Sequence, residues 1–169
     1  MPVGLKASSS PIQISAEVVE TLANTFVSEQ IDLTLNVLDN EVFVVTQINI
    51  DVDAPDNLLQ ATIVNASVST TRRTSVGSIA NQNVLGAAER LILGAPPAIN
   101  AVAFDREDPN FTALEVDYLG IIATNNAFLN LQGTNNGNIK AARCRIYGYR
   151  ATASASVYAA LVQSELLSA

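Results

Sequence analysis

Glu41–Asp53, EVFVVTQINIDVD, is the stretch whose reading decides the fold. Val42, Val44, Ile48, Ile50 and Val52 fall on one side of an extended chain, and Gln47, Asn49, Asp51 and Asp53 on the other. Side chains of a strand alternate with a period of two, so this run predicts a strand with one apolar and one polar face. It stops at Asp53-Ala54-Pro55-Asp56-Asn57. Pro55 has no N–H to give to a ladder, and Asp and Asn favour turns.

Upstream, Glu29 to Leu38 alternates Ile31, Leu33, Leu35 and Val37 with Asp32, Thr34 and Asn36. Asp39-Asn40 then reads as a two-residue turn, so the two runs predict a hairpin. Ser15 can cap a short helix over 15–26 that carries Val18, Val19, Leu22 and Phe26 on one side, an opening strand being the alternative. Residues 1–14 are small and polar, are interrupted by Pro2 and Pro11, and read as an extended arm. Residues 15–169 are long enough for a single domain with a real core.

Downstream, Leu58–Thr70 is rich in β-branched residues and predicts a third strand. Thr71–Ser78 is a loop carrying Arg72 and Arg73. In NQNVLGAAERLILG, Val84, Leu85, Ala88, Leu91 and Ile92 sit at helical spacing, with Asn81 or Asn83 to cap the start and Gly94, Pro96 and Pro97 to end it. Strands are expected again at Ala98–Phe104, Thr112–Leu119, Asn126–Gln132 and Ile139–Tyr149, with an exposed acidic loop at Asp105–Asn110. Gly133-Thr134-Asn135-Asn136-Gly137-Asn138 is a turn by composition. Thr152–Val162 alternates as a strand would, although Val157, Tyr158, Leu161 and Val162 also suit a helix. The expectation is an all-β protein: an eight-stranded jelly-roll sandwich with one helix inserted between strands and an extended N-terminal arm.

Composition narrows the function. Charged residues make up 15% of the chain, against about 25% in a typical soluble domain. Ala, Ser, Thr and Asn fill the shortfall, and one way to keep such a surface soluble is to cover it with other subunits. A net charge of −7 and a single cation, Lys6, in the N-terminal segment argue against a nonspecific nucleic-acid binder. The chain has no histidine, which removes Ser-His-Asp and Cys-His nucleophiles and His-ligated zinc or iron. A cupin-type jelly-roll enzyme depends on His and goes with them. The one cysteine, Cys144, excludes a disulfide within the chain. No run of about 18 apolar residues predicts a membrane span, and the first fifteen residues lack the apolar core of a secretory signal.

Three candidate sites emerge. Asp51, Asp53 and Asp56 place three carboxylates within six positions, a set of oxygen ligands for Ca²⁺, though without the Gly and terminal Glu of an EF-hand loop. The plainer reading, favoured here, is a polar strand face followed by a turn. Glu115 and Asp117 share a strand face at about 7 Å, but a glycosidase also wants aromatic platforms and Trp is absent. Lys140, Arg143, Arg145 and Arg150, interleaved with Tyr147 and Tyr149, form the one basic cluster. With Arg72 and Arg73 they are candidates for subunit or nucleic-acid contact, and the net charge favours pairing with carboxylates. Cys144 falls on the face opposite the arginines, as a small core residue would.

The strand run from Glu29 to Val162, the N-terminal arm and the Asn-rich loops resemble the single jelly-roll capsid proteins of icosahedral viruses. That resemblance implies two four-stranded sheets and subunits that tile a closed shell with copies of themselves, in a virion, with or without other virion proteins. Many capsid proteins of RNA viruses carry a basic arm, and this chain does not, so contact with a genome is expected to be minor. No cofactor other than Ca²⁺ is implied, and no catalysis. The alternatives are a carbohydrate-binding or adhesin-type β-sandwich module, which would need an aromatic platform or a Ca²⁺ site, and a subunit of a helical fibre or tail.

Overall fold

The longest ladder joins β4 (Glu41–Val52) to β10 (Ala141–Ala153), antiparallel, with Arg143 opposite Asp51, Ile146 opposite Ile48 and Ala151 opposite Val42. The computed structural model describes residues 4–94, 101–107 and 117–167. The other strands in chain order are β1 (Leu5–Ala7), β2 (Ile12–Val19), β3 (Val27–Asp32), β5 (Thr62–Ser69), β6 (Val84–Leu93), β7 (Val102–Glu107), β8 (Gly120–Ile122) and β9 (Asn126–Thr134). One helix, α1 (Ala155–Leu167), follows β10. Sheet A runs β1-β10-β4-β8, with β2 beside β1 on the same edge of β10, and sheet B runs β3-β9-β5-β6-β7. The fold is an all-β sandwich of two sheets.

The core lies between the sheets. Phe43, Val45, Ile48 and Val52 of β4 meet Val64, Ala66 and Val68 of β5, Leu129 and Leu131 of β9, and Ile146 of β10. A second, smaller core sits on the outer side of sheet A, where α1 presses Val157, Tyr158, Leu161 and Val162 onto Leu5, Val42, Val44, Ala123, Ala151 and Ala153. The apolar row of β4 is therefore two rows. Val42 and Val44 face the helix, whereas Ile48, Ile50 and Val52 face the sandwich. The change of side occurs at a bulge: Tyr147 stands opposite Gln47 but Gly148 opposite Val45, leaving Thr46 as the extra residue. Thr46 donates its hydroxyl to the Tyr147 carbonyl at 3.2 Å. Phe43 and Val45, neighbours of the helix-facing valines, fill the sandwich side that period-two reading assigned to Val42 and Val44.

Several expectations are corrected. Residues 15–26 do not form a helix; Ile12–Val19 is strand β2, paired with β10 from Ile12–Gly148 to Val19–Ala141. NQNVLGAAERLILG is strand β6, not a helix inserted between strands. Its Ala, Leu, Glu and Arg residues favour helix intrinsically, but β5 on one side and β7 on the other satisfy its backbone, and pairing overrides propensity. The helix of the fold is instead C-terminal, where Ala155–Leu167 takes the helical alternative of the Thr152–Val162 run. Ser154 starts it, its carbonyl accepting from Tyr158 N at 2.9 Å. Residues 29–38 and β4 do not form a hairpin. β3 pairs with β9 in sheet B and β4 with β10 in sheet A, so residues 33–40 cross between sheets. Thr34 and Asn40 take positive φ on the way. Ten strands, rather than eight, are present among the described residues.

The Thr112–Leu119 strand and the Asp105–Asn110 loop lie partly outside the described residues; Asp105–Glu107 belongs to β7. Within residues 1–14, β1 lies along the end of β10, with Leu5 opposite Ala153, and β2 begins at Ile12.

Candidate functional site

The outer face of sheet A divides in two. At one end α1 covers it. Toward the other, three strands place polar side chains in register. Gln13, Tyr147 and Gln47 form one row, Ser15, Arg145 and Asn49 the next, and Glu17, Arg143 and Asp51 the third. The inward positions Cys144 and Ile146 alternate with these and fix their direction. The second and third rows line a shallow, open concavity of about 540 Å³.

Two of the candidate cations behave differently here. Arg143 is tied: its Nε lies 2.9 Å from Glu17 Oε1 and its Nη1 3.1 Å from Asp53 Oδ1. The Asp53 hydrogen bond and the charge of Glu17 raise its pKa above the usual arginine value. Arg145, one row away, has no carboxylate partner among the described residues, and its Nη1 donates to Tyr147 Oη at 3.4 Å. Arg150 points to the other side of the strand, where its guanidinium donates to the Leu33 carbonyl at 3.2 Å and to the Thr34 hydroxyl. Arg73 folds back onto Asn83 Oδ1 at 2.9 Å, and Arg72 is exposed without a carboxylate partner.

Lys140 belongs to a different place, a polar knot beside the 135–138 loop that follows β9. Its Nζ lies 2.7 Å from Asp56 Oδ1 and donates to the Ala54 carbonyl at 3.0 Å. Asp56 Oδ2 accepts the N–H groups of Gly137 and Asn138, each at 2.9 Å. The bond from Lys140 holds the Asp56 carboxyl below the usual carboxylate range, with the Asn138 donors adding to it. Buried Glu20 completes the knot, Oε1 accepting from Gly133 N at 2.7 Å and Oε2 from Lys140 N at 3.0 Å. Glu20 was not among the expected site residues, although a carboxylate directly after the apolar Val18-Val19 pair was the signal.

The carboxylates considered for Ca²⁺ are dispersed over separate partners. Asp51 Oδ1 meets Arg90 Nη2 at 3.4 Å, Asp53 receives Arg143 and the Ala141 N–H, and Asp56 receives Lys140. Among the described residues no group of three or more His, Cys, Asp or Glu side chains is arranged to hold a metal. Glu115 lies outside the described residues. No helix among the described residues is long and apolar enough to cross a membrane.

The arrangement defines a β-sandwich protein whose sheet A bears a polar face of tyrosine, arginine and amide side chains. No family model and no curated protein matches the chain. Among solved structures, a chain from Desmodium yellow mottle tymovirus aligns over 91% of this chain and 91% of its own length, at 11% identity and a TM-score of 0.31. A superposition that loose transfers neither detailed fold nor role.

Proposed function

We propose that the chain is a non-enzymatic structural subunit that assembles with copies of itself into a virion shell, with β2 to β10 as one jelly-roll domain and the residues before Ile12 as its N-terminal arm. The strand order carries the reading. Without β1 and β7, the sheets are β2-β10-β4-β8 and β3-β9-β5-β6. Successive strands alternate between the sheets up to β5, and again from β6 to β10, as in two Greek keys wound into a jelly roll. Viral capsids, lectins and cupins use that wrap. A cupin centre needs histidine, and the chain has none. A lectin platform needs exposed aromatic rings, and the chain has no Trp and only 5% aromatics.

The cations support a protein rather than a nucleic-acid partner. Lys140, Arg143, Arg90 and Arg106 meet carboxylates of the same chain. Among the described residues the other five do not: Arg73 and Arg150 are held by neutral oxygens, Arg72 sits in the loop after β5, and Arg145 and Lys6 lie seven residues apart along β10, Lys6 being opposite Thr152. That is roughly 24 Å, too dispersed for a phosphate track. Arg145 is suited to one carboxylate of a neighbouring copy.

Negative-stain microscopy and sedimentation of the purified chain test this. Closed particles are expected, and Arg145→Glu is expected to reduce them without changing the thermal midpoint. A chain that stays monomeric at high concentration would remove the reading, and binding on a glycan array or in a calcium titration would replace it with the ligand-binding module.

A further inference from the structure

The outer face of sheet B ends in an exposed apolar patch. Leu91 stands opposite Phe104 and Leu93 opposite Val102 across the β6–β7 ladder. Ala88 belongs to the inner core, so Leu91 and Leu93, at odd spacing from it, face outward with Phe104 and Val102. Leu93, Val102 and Phe104 are 44%, 51% and 49% exposed. The next row is charged, with Arg106 Nη1 3.6 Å from Glu89 Oε1 and the Arg106 side chain 82% exposed. β7 is also the end strand of its sheet, paired among the described residues only with β6. Its other edge presents backbone N–H and C=O groups. Natural edges are usually blunted by charged side chains, Pro or a bulge. On β7 the charges begin only at Asp105, Val102-Ala103-Phe104 carries neither charge nor Pro, and the register with β6 runs unbroken.

We propose that β7 pairs antiparallel with β7 of a second copy about a two-fold axis at Phe104, joining two sheets B into one. The inference rests on the self-assembly reading and names one contact within it. Charge selects both the occupant and the register. Centred on Phe104, the pairing sets Val102 opposite the partner's Arg106 and Ala103 opposite the partner's Asp105, so no like charges meet. Centred on Asp105, it would set that carboxylate against its own copy, which is unfavourable. The patch carries apolar residues beside one cation and one anion, and is therefore self-complementary, as an isologous contact requires. Phe104 meets its own copy at the axis, and the aliphatic stem of Arg106 covers Val102 of the other copy.

Single cysteines test the contact, because the native Cys144 is buried and will not crosslink. Residues opposite each other lie about 5 Å apart, within disulfide reach, whereas the two copies of Val102 would lie about 13 Å apart. Under mild oxidation Phe104→Cys is expected to give a covalent dimer and Val102→Cys none. Phe104→Lys is expected to weaken association by roughly 30-fold or more, as loss of a central apolar anchor does. Particles that form while Phe104→Cys stays uncrosslinked, or while Val102→Cys crosslinks equally, would overturn this pairing and leave the shell reading standing. Dimers crosslinked at 104 with no particles would do the reverse, and a wild-type chain that never associates would remove both.

Discussion

Val44 and Val45 are adjacent in sequence, both wholly buried, and belong to different cores. Val44 is held under α1 on the outer side of sheet A, and Val45 between the sheets. Alternation alone puts these two on opposite faces, and the bulge at Thr46 then resets the sides, so that Ile48, Ile50 and Val52 join Val45 in the sandwich core and not Val44.

Gly148 is the partner residue at that bulge, and a Cβ there would sit 2.2 Å from the Val44 carbonyl oxygen and 2.7 Å from the Phe43 ring. Backbone cannot yield as a side-chain tip can. We predict that Gly148→Ala destabilises the protein by about 1–3 kcal/mol or more through overpacking. A denaturant melt in which Gly148→Ala matches wild type would show that β4 and β10 are not this close.

Asp56 ties the 53–57 connection to the 135–138 loop and the start of β10 through Lys140, Gly137 and Asn138. Removing it leaves Lys140 Nζ with only the Ala54 carbonyl. We predict that Asp56→Ala costs about 3 kcal/mol, in the range for breaking one side of a largely buried pair. The Asp56 pKa is lowered from 3.8 on folding. Its contribution is therefore full above the unfolded value and is lost as pH falls through the lower folded value. Thermal midpoints measured from pH 5 downward should fall less steeply in Asp56→Asn than in wild type, and equal slopes would count against this linkage.

Glu165 titrates in the opposite sense. Burial between α1, which carries it, and the Ala123–Thr124 backbone raises its pKa above 4.5, although the Ala123 and Thr124 N–H groups, each at 3.1 Å, oppose the shift. A raised folded pKa means that docking favours the protonated form. The contribution is present below 4.5 and is lost as pH rises through the folded value. Hydrogen exchange in α1 should therefore quicken relative to the sandwich strands as pH climbs above 4.5, after correction for intrinsic rates. Glu165→Gln should abolish that trend, and a trend that persists in the variant would assign it to another group.

Cys144 lies among the core side chains of sheet A, and burial pushes its thiol up to about 11. The thiolate is the reactive form. We predict that thiol reagents at pH 8 label the native chain only as fast as it opens, and label it at once in denaturant. Rapid stoichiometric labelling under native conditions would contradict the placement.

Local chemistry accounts for the parts of this fold that were legible in the sequence. Alternation located β4, β9 and β10, and composition placed a connection after β9, although Gly133 and Thr134 of the expected turn extend that strand and only 135–138 lie outside it. The Cys144 and Arg143 faces followed from period two alone. It could not separate helix from strand where the residues suit both. Ala87-Ala88-Glu89-Arg90-Leu91 is a good helix by propensity, and only the neighbouring strands β5 and β7 make it β6. Nor could it show that Val42 and Val44 belong under α1, since a bulge is a relation between two strands more than a hundred residues apart.

The candidate site divides in the same way. Sequence by itself determined an acidic, histidine-free, charge-poor chain of alternating strands, because composition and periodicity are properties of the chain alone. Tertiary structure decided which carboxylate meets which cation. Asp53 goes to Arg143, Asp56 to Lys140 and Asp51 to Arg90, while Arg145 is left without one. Those pairings depend on distances across sheets, and such distances exist only once the strands have found their register.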